Sequence, residues 1–549
     1  MNAKKLIALL LALVLSLTLF AGCGSSSADT EDETTTEEAE ETEEESEESD
    51  TASADTSSAL VSEEGITITS FQSTNPNMTT VMENDYSDLY WWQQLTEMTG
   101  VSFDWYMASY ANSEEQFNLL VAADDLPSLV CTGSYYSGGI ASAVENEVYV
   151  DLEPYLEEYA PDYLEIISDD SIYPIVSDDN GSIVCFYEIG IEEFTPNNGV
   201  FLRGDLLEEQ GLDVPVTYDE YEETLLALQS AYDLEATIFH YTDNSQWISA
   251  GQGVKDGFSI DADGNCVYGP ATDAWREYLK IANRWYEEGL IYQDFYAIPD
   301  GQNINYMVEY MSTGKSVLCF GYCEFAGMIE LGDGEYFVAG YVPRNNEDDE
   351  VHLTAGIDPL VQTGNAYAIG NNATEEEIEV ICRMMNWLYT DEGALFANYG
   401  VEGVTFEYQD DGTPWFTDLI TDNEDGLTLT QALITYTGYM VPSHSDYSKY
   451  NIASLTTWAD FVEVWGTADN AWEMPQVSLT VDEQEAYNAV STDVETYLDE
   501  TLTKFIIGDL DINDDAAWED YLSDLESLGV NTMIESYSAA LERYYDKLA

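Results

Sequence analysis

Residues 99–131 read TGVSFDWYMASYANSEEQFNLLVAADDLPSLVC. Val101–Tyr106 is a short apolar and aromatic run, the pattern of a strand. Ser113 and Gln116 have the spacing of a capping box, which predicts a helix through Leu119 and Leu120. Leu126–Cys131 then reads as a third strand. Immediately upstream, Gly65-Ile66-Thr67-Ile68-Thr69 is a β-branched strand, and Trp91, Trp92, Leu95 and Met98 form a helical stripe that Gly100 stops. Strand, helix, strand, helix, strand in this order predicts a parallel sheet with helices on its faces, the core of an α/β body.

The chain further on alternates in the same way. Thr217 with Glu220, and Thr374 with Glu377, predict two more capped helices, the first through Leu225 and Leu228, the second with Ile378, Ile381, Met385 and Leu388 on one stripe. Asp263-Gly264 separates Phe258–Ile260 from Cys266–Tyr268, which predicts a hairpin. Ser316–Gly321 and Tyr336–Val342 read as strands. Tyr487, Val490, Val494, Tyr497 and Leu498 share a helical face, as do Trp518, Tyr521, Leu522, Leu525 and Leu528, with Gly529 placed to end the second. These stripes are read as core.

The N-terminus is of another kind. Lys4 and Lys5 precede an uncharged apolar run, Leu6–Phe20, that is short for a membrane span and fits a secretory signal over residues 1–22. Most residues from Glu31 to Asp50 are Asp or Glu, so residues 23–62 are expected to be a disordered, self-repelling acidic linker. The body then runs from 63 to 549. With 108 acidic against 14 basic residues and a net charge of −94, the chain lacks the positive footprint that nucleic-acid binding needs. The same field disfavours anionic ligands. Cys131, Cys185, Cys266, Cys319, Cys323 and Cys382 largely occupy apolar runs and are read as free, structural thiols; Cys319 and Cys323 have no nearby partners to complete a zinc set.

Several pieces resemble one family in collinear order. Small residues before Cys23 (Leu19-Phe20-Ala21-Gly22-Cys23) are similar to the lipobox of bacterial lipoproteins, which implies lipidation of Cys23. TGVSFDWY and FNLLVAADDLPSLV, then DLEPYLEEYAPDY from Asp151, FLRGDLLEEQGLDVPVTYDEYEETLLAL from Phe201, EYLKIANRWYEEGLIYQDF from Glu277, STGKSVLCFG from Ser312, DEGALFANYGVEGVTF from Asp391 and WEDYLSDLESLGVNTMIESYSAALERYY from Trp518 resemble family 1 extracellular solute-binding proteins, in their long, sugar-type lipoprotein subgroup. The family's Arg-Lys-Asp-Trp-Leu crossing pattern reads Arg203-Gly204-Asp205-Leu206-Leu207 here. The resemblance implies a two-lobed, periplasmic-binding-protein-like α/β fold with a hinge and a ligand cleft between lobes. Lobe 1 would hold about 63–195 and 357–420, lobe 2 about 196–356 and 421–549, with crossings near Gly190–Phe201 and Ala355–Asn365. It also implies capture of a mono- or oligosaccharide for an ABC permease by a lipid-anchored monomer at the outer face of the membrane.

No phosphate loop, HExxH or GxSxG is present, and the histidines are only His240, His352 and His444. No catalytic residue, cofactor or metal is therefore assigned. Asp261, Asp263 and Asn265 match the start of a calcium loop, but Cys266 and Thr272 stand where it needs Gly and Glu, so a plain hairpin turn is the preferred reading. A sugar binder needs flat aromatic faces with polar groups beside them, set at strand ends. Tyr135 and Tyr136, Tyr322 and Glu324, Arg203 and Asp358 at the crossings, and Trp247 and Trp415 in loop-like stretches are the candidate ligand contacts. Each has a plainer alternative as core, surface charge or ion pair. A peptide or other small organic ligand, a surface-anchored glycan hydrolase and an adhesin stay open as alternatives.

Overall fold

Ile68 and Phe71 point inward from the strand Ile66–Thr74 (β1), and both are completely buried. The helix Tyr90–Thr99 lays Trp91, Trp92 and Leu95 into the same core and ends at Gly100, whose φ is +74°. A side chain at Gly100 would also collide with the Ser62 carbonyl oxygen, so glycine is required there twice over. The chain re-enters the sheet at once as β2 (Val101–Ser109). In this computed structural model the described residues are 59–548, except 75, 110–111, 192–195, 239–245, 299–302, 323–328, 330, 355–359 and 447–457. All of them belong to one unit, residues 55–549.

Two sheets organise that unit. The remaining strands of the larger are β3 (Leu129–Val130), β4 (Cys185–Gly190), β8 (Val361–Ile369) and β9 (His444–Ser445). Those of the smaller are β5 (Asn198–Arg203), β6 (Leu318–Tyr322) and β7 (Phe337–Gly340). The six-stranded order is β9-β4-β8-β3-β1-β2 and the three-stranded order is β6-β5-β7. β1 pairs parallel with β2 and β3 as the sequence pattern predicts, but β8 runs antiparallel to both β3 and β4. The small sheet is antiparallel throughout, and Gly199 in its central strand gives the room that the Trp465 ring occupies. One large core packs around the first sheet, with Phe71, Trp91, Val130, Ile189, Ile369 and Trp387. A second gathers Tyr221, Leu225, Trp247, Trp285, Leu318, Phe505 and Trp518 around the small sheet and the C-terminal helices.

The capping boxes at Thr217/Glu220 and Thr374/Glu377 both form. The one expected at Ser113 does not. The helix Ser113–Ala123 has Asn112 at its N-cap without a side-chain cap, and the Ser113 hydroxyl is instead 3.0 Å from the Tyr135 hydroxyl. The hairpin at Asp263-Gly264 is present, with Asp261 Oδ1 accepting from the backbone N–H groups of Asp263 and Asn265. Cys131, Cys185, Cys266, Cys319 and Cys382 are free thiols; Cys23 and Cys323 lie outside the described residues.

The segment 421–446, expected with the second lobe, lies with the first. The helix Leu429–Tyr436 packs Leu433 beside Tyr399, Phe416 and Ile420, and β9 pairs with β4. A two-residue strand offers no alternation to read, which is why the sequence pattern misplaces it. The consequence is a third connection between the two sheets. β4 runs on toward β5, the chain after β7 returns as β8, and the chain after β9 goes on to the helix Trp458–Trp465 beside β5. The three strands that meet these connections are neighbours. The Glu188 carboxylate on β4, only 2% exposed, ties them together: it accepts from Asn365 Nδ2 on β8 at 2.7 Å and from Ser445 Oγ on β9 at 2.8 Å.

Candidate functional site

A cavity of ≈ 1040 Å³ opens where β1 and β3 end. The carboxyl ends of parallel strands are where open α/β sheets bind ligands, because loops there diverge to opposite faces. β1 contributes Gln72 and Ser73. The turn after β3 contributes Cys131, Thr132, Ser134 and Tyr135, and the first turns of the helix Ser113–Ala123 contribute Glu114, Glu115, Asn118 and Leu119.

Tyr135 is held from three sides. Its hydroxyl reaches Ser113 Oγ at 3.0 Å and Ser73 Oγ at 3.3 Å, and its ring stands edge-on to Phe117 with centroids 6.2 Å apart. A half-buried ring fixed in this way presents a rigid surface at small entropic cost. The opposite wall comes from β8. Its register against β4 shifts between Gln362 and Ala366, and this bulge brings Gly364 and Asn365 to the cavity. Glu188 orients the Asn365 amide from behind. Met440 completes the rim. It is 40% exposed and has φ +60°, a conformation that costs a non-glycine residue roughly 1 kcal/mol or more and that clusters at functional sites. Its flexible thioether gives an adaptable apolar contact.

The chemistry offered is hydrogen bonding and apolar contact. Amides, hydroxyls, two exposed carboxylates, an aromatic ring, Leu119 and Met440 surround the space, and among the described residues no histidine lines it. Burial pushes the Cys131 thiol up, so it stays protonated at neutral pH and is no nucleophile. Among the described residues no group of three or more His, Cys, Asp or Glu is placed to hold a metal ion. A second cavity of ≈ 310 Å³ adjoins the first through Ser134 and Gly364 and is lined by Tyr136, Tyr149 and Tyr187.

Of the residues singled out in the sequence, Tyr135 stands in the large cavity and Tyr136 in the small one, where its hydroxyl accepts from Asn146 Nδ2 at 3.0 Å. Three others are placed away from both. Arg203, 4% exposed at the end of β5, makes a bidentate pair with Asp205 at 2.8 and 2.7 Å and reaches Glu335 at 3.1 Å. Trp247 is 1% exposed, packed against Tyr221 and Trp285 in the second core, so it has no face to offer a ligand. Trp415, 45% exposed, belongs to the small hairpin Phe406–Tyr408/Pro414–Phe416. Arg203 is thus held in ion pairs and Trp247 in the second core. Tyr322 closes β6 opposite Asn198, while Glu324, Asp358 and Cys23 lie outside the described residues. Gln72, Ser73, Asn118, Asn365 and Met440 escaped the sequence reading. The polar end of the Phe71-Gln72-Ser73-Thr74 run and the glycine inside the Thr363-Gly364-Asn365 stretch were the available marks.

The architecture has close counterparts. It superposes on an alginate-binding protein, AlgQ2, with a TM-score of 0.73 at 19% identity over 88% of this chain and 99% of that one. The body has the fold of the extracellular solute-binding proteins. The same fold is seen in the Streptococcus pneumoniae ABC-transporter substrate-binding protein FusA in complex with kestose (TM-score 0.71, 17% identity, 88% of this chain and 100% of that one). A human-milk-oligosaccharide (HMO)-binding solute-binding protein from Bifidobacterium longum infantis also shares it (TM-score 0.68, 14% identity, 88% and 99%). In sequence, the chain is 21% identical over 495 residues to the fructooligosaccharide ABC transporter substrate-binding protein FusA of Streptococcus pneumoniae, covering 83% of this chain and 86% of the relative. It is 22% identical over 425 residues to lipoprotein LipO of Bacillus subtilis, covering 72% and 78%. No protein-family model matches. No helix among the described residues is long and apolar enough to cross a membrane.

Proposed function

We propose that this chain captures an oligosaccharide at the outer face of the cell membrane and delivers it to an ABC permease. The observation that carries the reading is the cavity past β1 and β3. Its size suits several sugar rings. Its lining combines the fixed Tyr135 ring with the amides and hydroxyls of Gln72, Ser73, Asn118, Thr132, Ser134 and Asn365, the partners that a hydroxyl-rich ligand with flat apolar faces requires. The names of FusA and of the alginate- and HMO-binding proteins point the same way. Tyr136, in the adjoining cavity, would extend the surface to a longer chain.

In this reading the two lobes close on the ligand about the three connections beside β4, β8 and β9, a hinge motion. Arg203, Glu324, Asp358, Tyr322 and Trp415 would matter only insofar as closure brings them to bound sugar. Cys23, lipidated after removal of residues 1–22, would tether the monomer, and the acidic stretch to residue 62 would hold the body clear of the membrane. In this reading the bound sugar would leave unchanged.

A thermal-shift screen of the body against oligosaccharides, peptides and amino acids tests this. A ligand that binds only the folded state raises Tm by mass action. A shift with at least one glycan class, lost in Tyr135→Ala and without product formation, is the expected result. A shift with peptides alone, or release of shortened sugars, would replace the reading with a peptide binder or a hydrolase.

A further inference from the structure

Resting on the oligosaccharide reading above, we infer that the cleft selects uncharged glycans and rejects those carrying uronate or other acidic groups. The fold does not decide this, since one counterpart is an alginate-binding protein and alginate is a polyuronate. The residues do.

Among the described residues lining the cavity there is no Lys or Arg, and the charged side chains are Glu114 and Glu115, both exposed. The first turn of their helix attracts anions through its dipole. These two carboxylates already occupy that position. A ligand carboxylate placed beside them would meet like charge, a repulsion of the kind that salt screens.

Nor do the described residues offer an unpaired cation nearby. Lys4, Lys5 and Lys449 lie outside the described residues. Elsewhere Arg203, Lys255, Arg276, Lys280, Arg284, Lys315, Arg383, Lys504, Arg543 and Lys547 each form an ion pair with a carboxylate. Arg344, 7% exposed, donates to the carbonyl oxygens of Val342 and Asp349. Drawing any of these to a ligand would first break the contact it already makes. By contrast, hydroxyl groups of a neutral sugar find amides and hydroxyls on every side of the cavity.

The test compares neutral oligosaccharides with uronic-acid counterparts of the same length and linkage, by calorimetric titration of the intact body. The neutral member should bind at least about tenfold more tightly at low ionic strength, and the gap should narrow as salt rises from about 0.02 to about 0.5 M, because the screening length shrinks several-fold. The double substitution Glu114→Gln with Glu115→Gln should raise uronate affinity and make the gap smaller and less sensitive to salt. Equal or tighter binding of the uronate member, or a gap unmoved by the double substitution, overturns the inference while the oligosaccharide reading stands. Binding of neither member of any pair overturns both.

Discussion

In the proposed site Tyr135 and Glu188 divide the work between them. Tyr135 offers the ring. Glu188 lies behind the wall and fixes the amide of Asn365. Replacing Tyr135 with Ala should weaken glycan binding about tenfold or more, since a stacked, desolvated ring contributes roughly 1–3 kcal/mol and 1.4 kcal/mol is tenfold. Tyr135→Phe keeps the ring and loses only the Ser73 and Ser113 contacts, so titration should find most of the affinity retained. Glu188→Ala removes the acceptor that the half-buried Asn365 amide and the buried Ser445 hydroxyl share, at a cost of about 1–3 kcal/mol in denaturant unfolding. Trp247 is the counter-case. Trp247→Ala should cost about 3–5 kcal/mol of stability, as large core truncations do, while Trp247→Phe should leave ligand affinity unchanged. An aromatic just past a strand end can be picked out from sequence, and Tyr135 lines the cavity there. Trp247, read in a loop-like stretch, is set apart by what packs over it. Asn365 and Glu188 become readable only once β4, β8 and β9 are known to be neighbours.

Elements were more legible than contacts. Gly100, the capping boxes at Thr217 and Thr374 and the Asp263-Gly264 turn are local devices, each completed within a few residues, and each forms as its sequence dictates. Thr374→Ala should therefore cost about 1 kcal/mol, read as a shift of the unfolding midpoint. Ser113 shows the limit of such patterns. Its hydroxyl is taken by Tyr135, a partner 22 residues away, and the cap goes unmade. The strand directions were half legible. Parallel pairing of β1 with β2 and β3 follows from the alternation of strand and helix. The antiparallel return of β8 and the two-residue β9 depend on long-range pairing that leaves no periodic trace.

At the scale of the whole molecule, a third connection between the sheets and a C-terminal tie limit how the body can move. On the helix Val530–Leu548, Arg543 pairs with Glu483 at 2.6 Å and with Asp179 at 2.7 Å, and Lys547 meets Asp179 at 3.2 Å. Asp179 follows the helix Tyr173–Val176, whose residues pack in the first core, so the last helix ties the two cores together. Burial opposes ionisation of Glu483, but its hydrogen bonds from Arg543 and the Thr480 backbone outweigh this and hold its pKa below the usual carboxylate value. A carboxylate whose pKa is lowered in the folded state contributes stability above the unfolded value, near 4.3, and loses it as pH falls through the folded value. Arg543→Ala should accordingly lower Tm at pH 7, and the difference should fade below about pH 4.

The account's central claim is that ligand sits in the cavity past β1 and β3. Calorimetric titration of the body and its variants with an oligosaccharide that raises Tm tests it most directly. The prediction is saturable one-to-one binding by the parent chain, weakened about tenfold or more in Tyr135→Ala and Asn365→Ala and unchanged in Trp415→Ala and Trp247→Phe. Wild-type affinity in both cavity variants would contradict it and place the sugar elsewhere on the molecule.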